Sequence, residues 1–494
     1  MQGPIQDKTV TLSVIKSGKD SFFASVRQLI GARAFVMLLQ FLSLPVLTRL
    51  LSVEDFAIVA LGMVIPHFAN TFSDAGFGKS LIRLQQFDHA EWSTVFWFLA
   101  AVGAGLGCFV MLAAPLYAQV TGVPELFAVM IVLALLPFLQ SLSAVYQAWI
   151  ERDFGYKKIA NILMISGLVS LAVAIGLALL GFGYWALVIQ QILLIAVQFA
   201  AYAYASVFRP ALTFQPKLLR SHFGFGVNTL LFSGVMAIQK QLPVLAFNQL
   251  FGMLAVSLWS MSERLSRFPK IGAVGPFSRV TMVSMSRQWR DGAGAADVGQ
   301  TYLASSRLLA ILLFPGLIVA AFHARPVFIW FLSTPWGDVA PLFGLAVPAL
   351  LAELVSSIGA RVFMVANRTD LRLRMSIERF ILGTILFLLA LPFGLEAAIA
   401  IRSLFAVLYM PRYWGYMNKC VPLSVMSETK VLILPVCIGL VAAILGIYIR
   451  APMDVSTLHD CAVVIGLSMI VTLITVLLAY RQLADDVAWL RNSA

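Results

Sequence analysis

The sequence predicts an all-α integral membrane protein with about 14 transmembrane helices. The 494 residues are 60% hydrophobic and only 12% charged, and the mean hydropathy is +0.90. A water-soluble protein needs more polar surface than this composition supplies. The apolar segments also have the length of about 20 residues that a helix needs to cross about 30 Å of hydrocarbon. The bilayer is therefore the expected solvent for most of the chain.

The apolar segments form two sets of six, followed by a further pair. The first six are predicted at 29–50, 56–76, 92–114, 126–149, 159–180 and 183–206. The next six are predicted at 227–248, 252–274, 302–322, 338–366, 378–394 and 396–416, and the further pair at 431–449 and 461–480. Each is long enough, or nearly so, to span the bilayer once.

The predicted organisation is two six-helix lobes around a central cavity. The lobes are expected at 29–206 and 227–418, with a cytoplasmic linker at 207–226 and two extra helices within 430–480. The tetrapeptide Leu-Pro-Val-Leu occurs at 44–47 and again at 242–245, in a similar place in each half. This echo favours a parallel repeat, and such repeats commonly enclose the pathway of a transporter.

The distribution of basic residues predicts the orientation. The N-terminal tail, 1–28, contains four basic residues and no apolar core of signal-peptide length, so we expect it in the cytoplasm. Of the 35 Lys and Arg residues, most then fall in cytoplasmic loops, and the opposite loops contain only Arg49, Arg325 and Arg450. The C-terminal tail, 481–494, is also expected inside. Anionic headgroups of bilayer lipids account for the net charge of +12, so no nucleic-acid partner is expected.

The sequence does not contain the residues of an enzyme active site. The four cysteines lack metal-ligand spacing and the five histidines are scattered. The segment SDAGFGKS at 73–80 has Ser73 where a phosphate-binding loop requires glycine. The loops are too short for a soluble catalytic domain. We therefore predict a transporter without metal, cofactor or catalytic residues.

Isolated cations within the apolar segments are the main functional signal. A lone cation near the middle of a bilayer costs about 2.5 kcal/mol or more on insertion scales, so it usually faces water, a counter-charge or an anion. The predicted substrate-binding residues are these cations: Arg33, Lys240, Arg264, Arg267, Lys270, Arg361 and Arg402. Alternatives remain for three of them. Arg33 is close enough to a segment end to snorkel, Arg267 can pair with Glu263, and Arg402 can pair with Glu396 or Glu353.

Three acidic residues are candidates for binding a coupling ion, H⁺ or Na⁺. They are Glu263, Glu353 and Asp74, which lie within or at the end of predicted spans. Glu353 and Arg361 are eight residues apart, about 12 Å along a helix, so a direct pair between them is excluded. Each therefore needs another partner or water.

Three segments of the N-terminal half resemble a known family. They are PVLTRLLSVEDF at 45–56, DAGFG at 74–78 and ERDFGYKK at 151–158. These segments are similar to those of bacterial polysaccharide transporters, often called Wzx-type flippases, of the multidrug/oligosaccharidyl-lipid/polysaccharide exporter superfamily. The resemblance covers about residues 25–420. Motifs in this family are loose, and none identifies the glycan.

The resemblance implies a flippase in the bacterial inner membrane. Such proteins are thought to move undecaprenyl-diphosphate-linked oligosaccharide repeat units to the periplasmic leaflet by alternating access, for exopolysaccharide, capsule or O-antigen assembly. The lipid-linked oligosaccharide is then the expected ligand, and a polymerase and export machinery of the same pathway are expected partners. Its diphosphate is an anion of the kind that arginine side chains bind well.

Three other classes were weighed against this prediction. A multidrug or cation antiporter of the same superfamily would favour acidic residues in its cavity, whereas here cations outnumber Glu263 and Glu353. A peptidoglycan-precursor flippase would share both the fold and a cationic cavity, so it remains an alternative. A membrane-bound polymerase or ligase would need a large periplasmic loop, which this chain lacks.

Overall fold

The structure is a computed structural model that describes residue 28 and residues 31–73, 77–82, 87–270, 274–292, 294–450 and 457–493. Every regular element in these ranges is a helix, without a strand. Eleven helices are long and apolar enough to cross a membrane, or 12 if the bent pair Gly466–Leu478 and Tyr480–Leu490 forms one span. The predicted all-α membrane class is confirmed. Asp74 and residues 1–27 of the predicted tail lie outside the described residues.

The difference from about 14 predicted spans has three sources in helix geometry. Two helices joined by a kink at Gly252, where φ is 78°, lie at the predicted spans 227–248 and 252–274, and they count above as the single candidate span Gly234–Pro269. Glycine tolerates this left-handed backbone because it has no Cβ. The predicted span 396–416 is divided into Leu395–Leu408 and Met410–Met417. The last span is bent by 74°.

The chain forms two compact units, Met1–Leu245 and Ala246–Ala494. The helices of the N-terminal unit are α1 Gly31–Leu50, α2 Val53–Gly62, α3 Val64–Asn70, α4 Phe77–Ile82, α5 His89–Thr121, α6 Glu125–Leu133, α7 Leu135–Arg152, α8 Tyr156–Leu179, α9 Tyr184–Ala205 and the first part of α10 Pro216–Pro269. Helix α2 starts at a capping box, in which the Ser52 hydroxyl accepts from the Asp55 amide at 3.1 Å and the Asp55 carboxylate accepts from the Ser52 amide at 2.8 Å.

Small residues allow α5 and α7 to pack closely. A Cβ added at Gly103 would lie 2.9 Å from the Cα of Phe138, and one added at Gly107 would lie 2.8 Å from the carbonyl oxygen of Ala134. Both distances are too short for a larger residue. Membrane helices commonly associate through small residues at such contacts, because their close approach maximises van der Waals packing.

The segment after α9 is attached to α5 by hydrogen bonds. The Ser93 hydroxyl accepts from the Ala211 amide at 3.0 Å, and the Thr94 hydroxyl accepts from the Gln215 amide at 3.1 Å. The indole of Trp97 donates to the carbonyl oxygen of Ala211 at 2.8 Å. Helix α10 then begins at Pro216, inside the predicted linker 207–226.

Helix α12 is the centre of the C-terminal unit. The helices after α10 are α11 Gly275–Arg290, α12 Ala295–Phe331, α13 Val339–Val365, α14 Thr369–Ala390, α15 Leu395–Leu408, α16 Met410–Met417, α17 Val425–Arg450, α18 Thr457–Leu478 and α19 Tyr480–Ser493. Helix α12 packs against α13, α17 and α18. The last two long helices are therefore packed directly onto the core of this unit. Close packing of α12 and α13 requires Gly344, where a Cβ would lie 2.6 Å from the carbonyl oxygen of Ala321.

The predicted tail 481–494 forms helix α19, which is docked on α12. One guanidinium nitrogen of Arg307 donates to both carboxylate oxygens of Asp486, at 2.8 and 2.9 Å. The indole of Trp489 donates to the Thr301 hydroxyl at 3.1 Å. Arg307 thus has a specific partner in the tail helix, in addition to its position near the start of a span.

Candidate functional site

The last two turns of α10 and the residue that follows the helix contain four of the predicted charged residues. Helical periodicity places Glu263, Arg264, Arg267 and Lys270 at steps of three or four residues, so they share one broad side. Glu263 and Arg264 are partly buried, whereas Arg267 is exposed. Within the described ranges, no ion pair joins Glu263 to Arg267. The pairing alternative for Arg267 is therefore not seen.

An ion pair connects the end of α10 to the middle of α13. The ammonium of Lys270 lies 2.6 Å from a carboxylate oxygen of Glu353, and their side chains are 25% and 53% exposed. Lys270 was predicted as a substrate ligand and Glu353 as an ion ligand, and the structure brings the two together. An exposed pair of this kind contributes at most about 1 kcal/mol to stability. Its two partners are thus available to exchange for other ligands.

Arg361 lies two turns further along α13 and has an unsatisfied donor. Its side chain is partly buried, and its Nε is buried without a hydrogen-bond partner in the described part of the chain. One terminal nitrogen lies 3.9 Å from the sulfur of Met364, which is a weak acceptor. A buried donor without a partner is destabilising, so an acceptor that reached Arg361 would remove this penalty.

Arg402 lies on an aromatic ring rather than beside a carboxylate. Its guanidinium carbon is 5.2 Å from the ring centroid of Trp259, a residue of α10 that is 4% exposed. Arginine above an indole face is attracted by the ring quadrupole. No ion pair of Arg402 with Glu396 or Glu353 occurs among the described residues. Trp259, which the sequence analysis did not single out, thus holds Arg402.

Arg33 and Lys240 belong to the N-terminal unit, and the other five predicted cations belong to the C-terminal unit. Both Arg33, in α1, and Lys240, in α10, are exposed within helices long and apolar enough to span a membrane. This exposure is compatible with a wet surface, as predicted, and for Arg33 also with snorkelling. Of the acidic candidates, Glu353 is paired, Glu263 is partly buried and Asp74 is outside the described residues.

One buried carboxyl was not predicted. Glu428, in the first turns of α17, is 3% exposed. In the sequence it lies just before the predicted span 431–449 and two residues from Lys430, so it has the pattern of an interfacial residue. Only the packing of other helices over its side chain distinguishes Glu428 from an interfacial residue. Across the described ranges, no three His, Cys, Asp or Glu residues are grouped as metal ligands.

The family described as "Polysaccharide biosynthesis protein" matches residues 46–341 of this chain. The succinoglycan biosynthesis transport protein ExoT of Rhizobium meliloti is 26% identical over 311 residues, 62% of each protein. The teichuronic acid biosynthesis protein TuaB of Bacillus subtilis is 22% identical over 313 residues, 62% of this chain and 63% of that protein. The chain therefore matches less than two thirds of the length of these two relatives. The lipopolysaccharide biosynthesis protein WzxC of Escherichia coli is 22% identical over 380 residues, 75% of this chain and 74% of that protein.

Two solved structures share the fold. The lipid II flippase MurJ in an inward closed conformation has a TM-score of 0.73 at 14% identity, over 92% of this chain and 98% of that one. An inward-facing multidrug resistance transporter of the MATE family, within the MOP superfamily, has a TM-score of 0.55 at 15% identity, over 82% and 94% of the two chains. At this level of identity the likeness establishes the fold alone.

Proposed function

This chain belongs to the polysaccharide biosynthesis protein family, and from that premise we propose that it is a flippase for lipid-linked oligosaccharides. Its substrate is an oligosaccharide repeat unit on a polyprenyl diphosphate, moved from the cytoplasmic to the periplasmic leaflet of a bacterial inner membrane. Both termini are cytoplasmic, in agreement with the distribution of basic residues. The name of the relative ExoT, a transport protein, supports a transport role over an enzymatic one.

The observation that carries the proposal is the Lys270–Glu353 pair. A cation and a carboxylate that are 25% and 53% exposed, on helices that span the membrane, need a polar surrounding. The substrate diphosphate and the Glu353 carboxylate are alternative acceptors for the Lys270 ammonium. Binding of the diphosphate therefore displaces Glu353, and the two states of the site differ in their charge distribution.

Four arginines of the same unit are the further proposed ligands of the anion. Arg264 and Arg267 belong to the turns of α10 that precede Lys270, and their planar forks suit phosphate oxygens. Arg361 offers the unsatisfied Nε donor on α13. Arg402 is a less mobile ligand because it is held by Trp259. Arg33 and Lys240 are the candidate substrate ligands of the N-terminal unit.

The displacement of Glu353 suggests how an ion drives the transport cycle. When Glu353 binds H⁺ or Na⁺, its attraction for Lys270 falls, and Lys270 becomes available to the diphosphate. Loss of the ion restores the pair and expels the substrate into the opposite leaflet. Alternating access then follows from coupling between ion occupancy and substrate affinity. Glu263 and Asp74 are further candidates for the same ion, while a polymerase and export machinery receive the product.

The proposal is tested by the position of the repeat unit in a deletion strain. We expect the lipid-linked unit to accumulate on the cytoplasmic leaflet and to be cleared by the wild-type gene. Lys270→Ala, Arg264→Ala and Arg361→Ala should each lose about 10-fold to 100-fold in substrate affinity, the equivalent of a charge-assisted hydrogen bond of about 1.5–3 kcal/mol. Arg33→Ala and Lys240→Ala test the other unit in the same way.

Arg368→Ala is the matched control, because it removes an exposed arginine that pairs with Asp370 outside the proposed site. It should clear the repeat unit as the wild type does. If all the test variants cleared the lipid-linked unit fully at matched expression, these cations would not be required for transport. Absence of accumulation in the deletion strain would contradict the flippase function itself and favour a drug antiporter. Rescue of a strain depleted of its lipid II flippase would instead identify a peptidoglycan precursor as the substrate.

A further inference from the structure

Glu428 is unusual among the charged residues of this protein. Among the described residues, it is the only Asp, Glu, Lys or Arg that is buried, at 3% exposure. It belongs to α17, a helix of the predicted extra pair, whereas the proposed substrate ligands belong to α1, α10, α13 and α15 or, for Lys270, directly follow α10. Burial of a carboxyl requires partners for both of its oxygens.

Only one oxygen of Glu428 has such a partner. The hydroxyl of Tyr302, on α12, donates to Oε2 at 2.9 Å, and Tyr302 is itself 1% exposed. The other oxygen, Oε1, is buried without a hydrogen-bond partner. Glu428 lines a small space together with Ser306 of α12 and Trp414 of α16, whose Oγ and Nε1 have no partner either. Three polar atoms without partners thus belong to residues that line one small space.

Nothing around this space compensates for a negative charge. The remaining lining residues are Leu303, Val355, Val431 and Leu432, and no Lys, Arg or His is among them. No part of the space is wide enough for a water molecule. Tyr302 is the only titratable neighbour that lines it, and Lys430 on the same helix is exposed. The N-terminus of α17 favours a carboxylate, but this effect is smaller than the cost of burying an unpaired charge.

The geometry therefore fits a neutral carboxyl whose proton is on Oε1. A neutral carboxyl avoids the cost of a buried unpaired charge and still accepts the hydrogen bond from Tyr302 at Oε2. Ionisation would require water to reach Oε1, because the proton must pass to water and the carboxylate must be solvated. Water can enter only if α17 moves away from α12 and α16.

We propose that Glu428 is a proton-binding site of the C-terminal unit, and that release of its proton to water is coupled to separation of α17 from α12 and α16. The closed packing is the protonated state, and the opened packing is the ionised state. A role of this site in driving transport rests on the flippase function proposed above. The proton occupancy of Glu428 and the opening of the packing do not depend on that function.

Infrared spectroscopy of the purified full chain tests the proton occupancy. The wild type at neutral pH should show the carbonyl stretch of a protonated carboxyl, and Glu428→Gln should lose it. Glu378→Gln is the matched control, because Glu378 is partnered by both Arg412 and Tyr416, at 3.0 and 2.6 Å, and should be ionised. Glutamine has the shape of the neutral carboxyl, so Glu428→Gln should fold. A carbonyl band that is unchanged in Glu428→Gln would overturn the proposal.

Thiol labelling tests the coupling to helix separation. Ser306→Cys is introduced into a chain whose native cysteines are replaced by serine, and its labelling rate is measured across pH with a methanethiosulfonate reagent. The fold increase of the labelling rate with pH should be at least ten times larger in this variant than in the Ser306→Cys, Glu428→Gln double variant. The double variant should stay closed at every pH. An equal pH response in both would overturn the coupling. Failure of the deletion strain to accumulate lipid-linked units would contradict the flippase function and leave both of these measurements valid.

Discussion

Glu353 and Glu428 are two carboxyls of the same unit with opposite surroundings. Glu353 is 53% exposed and lies 2.6 Å from the Lys270 ammonium. Glu428 is 3% exposed, receives one hydrogen bond from Tyr302 and has no cation beside it among the described residues. The first site is suited to exchange of one charged partner for another, and the second to gain and loss of a proton. Solvent access and counter-charge, rather than residue type, therefore separate the two roles.

Introducing a cation at each site should show the largest difference between them. Glu428→Lys buries an ammonium that cannot be solvated, so we expect a loss of stability of about 3–5 kcal/mol. Glu353→Lys places two ammonium groups together at an exposed position, where the loss should not exceed about 1 kcal/mol. Thermal unfolding of the two purified variants checks the order. Equal losses would mean that Glu428 is reached by water and would abolish the contrast.

Removing the tyrosine hydroxyl should show a smaller effect, again at the buried site. Tyr302→Phe leaves the second oxygen of Glu428 without a donor, which should cost about 1–3 kcal/mol. Tyr416→Phe is the matched change, because Glu378 keeps its bond from Arg412 at 3.0 Å after the Tyr416 donor is lost. The apparent unfolding temperature should fall more for Tyr302→Phe. A larger fall for Tyr416→Phe would contradict the assignment of Glu428 as the less solvated carboxyl.

Reversing the Lys270–Glu353 pair should separate stability from transport. The Lys270→Glu, Glu353→Lys double variant preserves the pair, so its stability should remain within about 1 kcal/mol of the wild type. Its transport should fail, because the cation now lies on α13 rather than beside Arg264 and Arg267. Clearance of the lipid-linked unit and thermal unfolding are measured on the same variant. Normal transport would show that the position of this cation is unimportant.

Salt should produce the smallest effect and only at the exposed site. Raising the ionic strength from about 0.1 to 1 M shortens the Debye length from about 10 to about 3 Å, so the contribution of the Lys270–Glu353 pair should fall by a few tenths of a kcal/mol. The difference in unfolding temperature between the wild type and the Lys270→Ala, Glu353→Ala variant should narrow. The infrared band of Glu428 should not change. A salt-dependent band would place that carboxyl in contact with solvent.

Much of the fold was predictable because membrane helices are defined by local composition. The segments around 92–114 and 159–180, for example, contain the cores of α5 and α8. The break at Gly252 falls where the predicted spans 227–248 and 252–274 meet. The division of 396–416 into α15 and α16 is less visible, because a short kink hardly changes the hydropathy of a window. The docking of α19 was not predicted because it depends on contacts between residues that are far apart in the sequence. Its partners Arg307 and Thr301 are distant in sequence from Asp486 and Trp489.

The candidate site was predictable in residue type but not in arrangement. Cations such as Arg264 and Arg361 stand out within apolar segments, so they were identified without a structure. The partners of Lys270 and Arg402 were not, since Glu353 was one of several acidic residues and Trp259 had the pattern of an ordinary core aromatic. Glu428 was overlooked because Lys430 and the adjacent span boundary at 431 gave it the pattern of a surface residue.

The sequence by itself determined the solvent of this protein, the positions of most of its helices and the excess of cations within them. These properties follow from the transfer free energies of neighbouring residues, which are additive along a window of chain. Only the tertiary structure decided that Glu353 meets a cation in partly exposed surroundings and that Glu428 is closed off by α12 and α16. Electrostatic free energy depends on distance and solvent access in three dimensions, and both are set by residues far away in the sequence.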